Sequence, residues 1–473
     1  MESLDLVKAD QLDYSSHAVL EPSYKYMPVS LNNQPSGVIS LAPNTTSMNE
    51  FKLPSSRVVN FGRSYVNFGI YAPKCVVSAV NYAIGTFEDV SPFASAVSLA
   101  TSNGTEVARL DNLQQHQKLV RKIDTPLETF MTNDKLGNLY RSNKSAITNF
   151  IPAGGAATEE FIEPLYMNST VMSDGDAGIG ELNQQRQFKL STLTGTILGV
   201  DRNFYCPADM YLRFVTVKGD NIAWGQKLAD VAPGADVDIV SVPGLTMNNV
   251  TLWLCVETNQ DIIKMTQAAC LAGGLTYDIP YTMSNRQTGQ AASGQTNLQI
   301  AYNSSHGHRL KRIITTAFNP VETLNKSLDC DNTNGIRTAA YNTLLDNVKL
   351  QDRVLSCLLP AGQAVNSDDW AENRRYIDKG KSTYLSKEMY GINWFHMDSF
   401  CEIKGVGDIP EVNLDRGLDM AIPKQWQFSS QVGSTGGLAH YTFAEFTRPI
   451  LVTPLGVEFT PYPLIVSNLR ISS

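Results

Sequence analysis

Strict alternation of apolar and polar residues is the clearest signal along this chain. In "MYLRFVTVK" (210–218), Tyr211, Arg213, Val215 and Val217 fall on one side, and Met210, Leu212, Phe214 and Thr216 on the other. That is the period of a strand with one buried face. Related segments run through residues 57–260: "RSYVNFGIYA" (63–72), "CVVSAVNYAIGTF" (75–87), "FASAVSLAT" (93–101), "FKLSTLTGTIL" (188–198), "DVDIVSV" (236–242) and "NVTLWLCVET" (249–258). Turn-forming residues and long polar insertions separate them, the pattern of antiparallel all-β structure.

The pattern changes at "QDIIKMTQAACLAGG" (260–274), where Ile262, Ile263, Met265 and Ala269 line one side of a predicted helix ending at a Gly pair. A second strand series follows: "LTYDIPYTM" (275–283), "TNLQIAYNS" (296–304), "HRLKRIITTAF" (308–318), "GIRTAAYNTLLDNVKL" (335–350), "YGINWFHMDSFCEI" (390–403), "QWQFSSQV" (425–432), "LAHYTFAEFTR" (438–448) and "LGVEFT" (455–460). A helix is predicted within it over "DDWAENRRYIDKG" (368–380), with Asp369 and Glu372 at capping-box spacing. Residues 1–56 show no sustained period and read as an N-terminal arm ordered against a neighbour. The predicted layout is an arm (1–56), a first β-sandwich (57–260), a linker helix (261–274) and a second β-sandwich (275–473), with short helices in loops.

Composition narrows the function. The 473 residues are 42% hydrophobic and 18% charged, with a formal net charge of −8. Such an acid balance disfavours a protein whose work is to hold phosphate backbones, so no direct, specific nucleic-acid binding is expected. The seven cysteines are scattered without a C-x-x-C pair and read as reduced thiols of a cytosolic or nuclear setting. "MESLDLVKADQLDYSS" lacks the basic and apolar regions of a secretory signal. The seven N-x-S/T sequons are then expected to meet no secretory glycosylation.

Six places offer candidate chemistry. His396, Asp398 and Cys401 lie close together in "YGINWFHMDSFCE" (390–402). On a strand, His396 and Asp398 share a face, but no G-x-S-x-G supplies a nucleophile and no further ligands complete a zinc set. The expected role is a core strand. "HGH" (His306–His308) lacks a neighbouring carboxylate or Cys and reads as a turn before a strand. "GKS" (380–382) has Arg375 where a phosphate loop needs Gly, and "DCDNTNG" (329–335) has Thr333 and Asn334 in the places of a calcium loop's third ligand and Gly. "DGDAGIGE" (174–181) reads as a flexible loop rather than a calcium site. In "HRLKRIITT", Arg309 and Lys311 are predicted on one face, with Leu310, Arg312 and Ile314 on the other, at a sheet edge or subunit contact. No catalytic, cofactor or metal residue is therefore assigned, and no enzyme is expected.

Five segments, in order, carry a resemblance: "VTLWLCVE" (250–257), "TYDIPYT" (276–282), "HGHRLKRIITTAFN" (306–319), "TAAYNTLLDNVKLQD" (338–352) and "YGINWFHMDSFCE" (390–402). Together they resemble the major capsid proteins of the double jelly-roll lineage, above all those of Polinton elements, Polinton-like viruses and virophages. That family's Thr-Glu-x-x-Asn turn is matched only roughly, by Glu322, Thr323 and Asn325. The resemblance implies two tandem jelly rolls and a homotrimeric, pseudohexameric capsomer tiling an icosahedral virion shell. It further implies contacts with neighbouring capsomers, a minor capsid or penton protein and an internal membrane, with assembly in the host cytoplasm or nucleus. The loops around 102–187 and 320–385 would then be tower or intersubunit elements. The rivals to this reading are a carbohydrate-binding β-sandwich using Trp224, Trp253 or Trp426 as sugar platforms, and a β-sandwich hydrolase using His396 and Asp398.

Overall fold

The alternating segments fold as strands whose partners come from far along the chain. The computed structural model describes residues 22–34, 36–73, 75–77, 80–87, 93–124, 167–168, 182–227, 239–288, 295–318, 343–352, 358–359, 396–399, 418–421, 423–432 and 439–459. Eight principal strands make the first half: β1 (Tyr24–Ser30), β2 (Met48–Leu53), β3 (Arg57–Ala72), β4 (Ala96–Thr101), β5 (Glu106–Leu110), β6 (Leu182–Lys189), β7 (Met210–Val215) and β8 (Thr246–Glu257). They pair in two antiparallel sheets, β1-β8-β3-β6 and β2-β7-β4-β5. The second half has β9 (Leu275–Thr288), β10 (Gln295–Tyr302), β11 (Arg309–Phe318), β12 (Thr343–Asp352), β13 (Leu358–Leu359), β14 (His396–Ser399), β15 (Lys424–Val432) and β16 (Ala439–Thr453). These pair as β9-β16-β11-β14 and β10-β15-β12-β13. Adding eight to each strand number of the first half gives the second, so the pairing order is duplicated. Two sheets in this order form a jelly roll, and the chain is a double jelly roll.

The alternation read in "MYLRFVTVK" is the packing of β7, where Met210, Leu212 and Phe214 are buried and Tyr211, Arg213 and Val215 half-buried. Between the two sheets of the first half, Phe93 packs against Phe68, Phe188 and Phe214, and Phe214 stacks on Phe51. Helix α1 (Leu113–Asp124) follows β5, and helix α2 (Gln260–Ala272) joins β8 to β9. The Asn259 side chain caps α2 by accepting from the Asp261 N–H.

Antiparallel strands reverse at every step, so connections after odd-numbered strands leave one end of a sandwich and those after even-numbered strands the other. In the first half the odd connections are 31–47, 73–95, 111–181 and 216–245; the even ones are 54–56, 102–105 and 190–209. The odd end carries a further sheet, built from Cys75–Val77, Val80–Phe87, Ala223–Lys227, Ile239–Ser241 and Met167–Asn168. Because α2 leaves β8 and enters β9 at the even end, the second half stands with the same polarity. Accordingly, the turn after β16 meets the turn after β4, with a Cβ built on Gly456 3.7 Å from Asn103 Nδ2.

Several expectations need correction. Residues 24–53 are not an arm, because β1 pairs with Thr251–Glu257 and β2 with β7, inside the first jelly roll. Residues 1–21 lie outside the described residues. "CVVSAVNYAIGTF" is two paired strands rather than one. Beyond Lys189, "FKLSTLTGTIL" leaves the sheet in two 3-10 turns, Leu190–Thr192 and Ile197–Gly199. In α2, Met265 is exposed, whereas Thr266 and Cys270 join Ile262 and Ile263 inside. The helix expected over 368–380 lies outside the described residues, as do "GKS", "DCDNTNG", "DGDAGIGE" and Cys401.

Candidate subunit interface and the seam between the halves

β9 would be the bare edge of its sheet, and the first half covers it. The covering elements are β5, the 3-10 turns after β6 and the start of α1. On α1, Leu113, His116 and Val120 form a buried stripe at helical spacing. Asn112, which precedes the helix with φ 54°, donates from Nδ2 to Ser284 Oγ at 2.8 Å. Thr282 donates from Oγ1 to the Gly195 carbonyl at 2.9 Å. Gly195 has φ +78°, and a Cβ there would run into the Thr282 hydroxyl. Nearer the even end, the Tyr205 N–H donates to Tyr277 Oη at 3.2 Å, and Phe204 packs on the Tyr277 ring. The apolar cluster of the first half extends across the seam to Leu275, Tyr277, Ile279, Ile450, Val452 and Val457.

At the middle of this seam sits a buried ion pair. Arg312 donates from Nε to Glu445 Oε2 at 2.7 Å and from Nη2 to Oε1 at 2.9 Å. The His116 ring, fully buried, lies edge-on to Phe443 with Nε2 3.8 Å from Glu445 Oε1. Burial alone pushes the Glu445 carboxyl up, but the Arg312 guanidinium and the His116 ring outweigh it and hold it down at about 2, against an ordinary 4.5. A carboxyl held low contributes stability that is complete above pH 4.5 and is lost as pH falls towards 2, roughly 3 kcal/mol in all. Urea unfolding of wild type and Glu445→Gln should therefore differ at pH 6 and converge near pH 2; curves separated equally at both values would refute this.

The register of β11 explains how Arg312 reaches that site. Pairing with β16 slips between Leu310 and Arg312, so Lys311 forms a bulge and Arg312 is set opposite Glu445. The bulge reverses the predicted alternation: Leu310 is buried opposite Phe446, and Arg312 turns to the other face. Nor is β11 an edge, since it lies between β16 and β14.

The other candidates fall as follows. His396–Ser399 pairs with Arg312–Thr315 as β14, and Met397 is 3% exposed, as a core strand requires. The flanking Tyr390–Phe395 and Phe400–Glu402 are outside the described residues. "HGH" forms a turn, in which the His306 N–H donates to the Asn303 carbonyl and the Ser305 N–H to Asn303 Oδ1. Gly307 is pressed against β16, where a Cβ would lie 2.6 Å from that of Phe446. Among the described residues, no three His, Cys, Asp or Glu side chains converge as a metal site. Of the proposed sugar platforms, Trp426 is fully buried, and Trp253 lies nearly parallel to Tyr65 and offset from it, with ring centroids 6.4 Å apart.

The seam went unread in the sequence because α1 lies within the 102–187 insertion expected to be external. A usable signal was Glu445, a lone carboxylate inside the apolar strand "LAHYTFAEFTR". No family model matches the chain, and no curated protein matches it in sequence. Solved structures share the fold. The Faustovirus major capsid protein is 9% identical, with 92% of this chain and 91% of that one covered at a TM-score of 0.50. A chain of the Sputnik virophage, from its 3.5 Å cryo-EM structure, is 12% identical, with 96% and 92% covered at a TM-score of 0.50.

Proposed function

We propose that this is the major capsid protein of an icosahedral virus, a non-enzymatic subunit whose homotrimer forms a pseudohexameric capsomer. The observation that carries the reading is the duplicated strand order in two jelly rolls of like polarity, welded side by side. Three such chains supply six similar sandwiches around one axis, and the insertions at the odd end would give the outer relief. The double jelly-roll fold shared with the Faustovirus major capsid protein supports it. Partners on this reading are neighbouring capsomers, a minor capsid or penton protein and an internal membrane, in virions assembled in the host cytoplasm or nucleus. The carbohydrate-binding alternative loses Trp426 to the core.

Light scattering on the purified protein, with negative-stain images, tests this. A species of three chains with a hexagonal outline is expected. A monomer under all assembly conditions would overturn the proposal.

A further inference from the structure

The second half of helix α2 meets solvent through apolar side chains. Its inner face is Ile262, Ile263, Thr266 and Cys270, all buried, with Cys270 Sγ 3.6 Å from the Val452 carbonyl. The opposite face opens with Asp261 and Lys264, but from Met265 onward its exposed side chains are Met265, Ala268, Leu271 and Ala272. Met265 is 37% exposed and Leu271 74%. Leu455, three residues beyond Val452 in the turn after β16, adds a further aliphatic side chain at 83% exposure. These residues lie at the even end, where α2 joins β8 to β9. A helix apolar on both faces is normally covered on both.

The chain itself supplies an occupant at this place. Ser23 is fastened to the entry of α2: its N–H donates to Glu257 Oε1 at 2.8 Å, and its carbonyl accepts from the Thr258 N–H at 2.6 Å and from Thr258 Oγ1 at 2.7 Å. Glu257 is buried and also accepts from the N–H of Asn259, the residue that caps α2. Residues 1–21 are thus tethered at the first turn of the helix. With 13 residues, α2 is about 20 Å long. The apolar run Ala18–Leu20 lies three to five positions before Ser23, a reach of about 10–17 Å, enough to bring it over Met265 and Ala268. "LDLV" (4–7) can reach Leu271 and Leu455 with chain to spare. The carboxylates Glu2, Asp5, Asp10, Asp13 and Glu21 outnumber the single Lys8, which suits the margin at Lys264 and opposes an anionic bilayer. We propose that residues 1–21 run back along α2 and cover this apolar stripe within their own chain. The proposal is independent of assembly, since every residue it uses belongs to one chain.

The test is a photo-crosslinking residue in place of Leu271 in the full-length protein. Irradiation should join position 271 to residues 1–21, and mixing isotope-labelled with unlabelled chains should show both partners in one chain. Val19→Asp with Leu20→Asp should lower that crosslink by about fivefold or more, because carboxylates do not settle on an aliphatic stripe. In the protein without the crosslinking residue, the same pair should raise binding of a dye for exposed apolar surface, while thermal unfolding stays unchanged. Adding Leu271→Lys and Leu455→Lys should return the dye signal to that of wild type. Crosslinks only between different chains would give the stripe to a second copy. Crosslinks to lipid, and none to residues 1–21, in vesicles of phosphatidylcholine and phosphatidylglycerol would give it to a bilayer. Either result, or dye binding unchanged by Val19→Asp with Leu20→Asp, would overturn the proposal and leave the capsid reading intact.

Discussion

Replacing Glu445 with Ala should cost roughly 3–5 kcal/mol of unfolding free energy, the usual result of removing one partner from a buried ion pair. The Arg312 and Glu445 side chains are 17% and 11% exposed, so little water can take over the lost contacts. The Arg312 guanidinium would keep its charge in a place built to neutralise it, between β16 and the covering α1. It cannot shed a proton to escape, since arginine remains protonated in proteins. Glu445→Gln should lose less, because an amide oxygen still accepts one of the two Arg312 bonds. The double change Arg312→Met with Glu445→Leu should recover most of the loss, since it leaves no stranded charge. Urea midpoints at pH 7 report all three. Were Glu445→Ala and the double variant equally unstable, the penalty would lie in lost packing at the seam, and the stranded-charge account would be wrong.

How far the sequence reveals this molecule depends on whether a strand's pattern is local. In β7 every second side chain is buried by one sheet, so periodicity alone places Met210, Leu212 and Phe214 inside. The Gly pair after α2 marks its end for an equally local reason, since Gly273 and Gly274 follow directly on Ala272. β1 is different. Tyr24–Ser30 is an edge strand exposed at several positions on both faces, and it is defined by pairing with β8 more than two hundred residues away. Nothing within seven residues encodes that. The Lys311 bulge is hidden for a related reason: an extra residue in one strand is set by its neighbour's register, and the alternation written in "HRLKRIITT" continues straight through it.

The candidate site shows the same division. That "HGH" forms a turn followed from Asn303 and the glycine between the histidines. The seam did not follow. His116 and Glu445 are more than three hundred residues apart, one in the polar run "LQQHQK" and the other in the apolar strand "LAHYTFAEFTR", and only the packing of one half on the other brings them within 3.8 Å. Covering β9 with the first half also protects a fourteen-residue strand that would otherwise offer a bare edge to other chains. The weld therefore serves two ends: it closes that edge, and it fixes the angle between the sandwiches.

Phe93→Ala should be as damaging as the loss of Glu445, by a different mechanism, with an expected cost of roughly 3–5 kcal/mol. Phe93 is 1% exposed and lies in the connection just before β4. Its ring centroid is 4.5 Å from that of Phe214, 4.7 Å from Phe188 and 5.6 Å from Phe68. Phe68 and Phe188 belong to one sheet and Phe214 to the other, so Phe93 fills the space where the two sheets meet. Alanine would leave a void walled by three aromatic rings, and these adjust less readily than a methionine or leucine. Phe93→Leu should retain much of the stability because it refills part of that volume. Since the apolar cluster around Phe93 extends across the seam to β9 and β16, the loss should appear as a shift of the whole urea transition at nearly constant slope. A separate early transition for the first half alone would instead mean that the seam does not couple the sandwiches, and would weaken the account of the weld along with it.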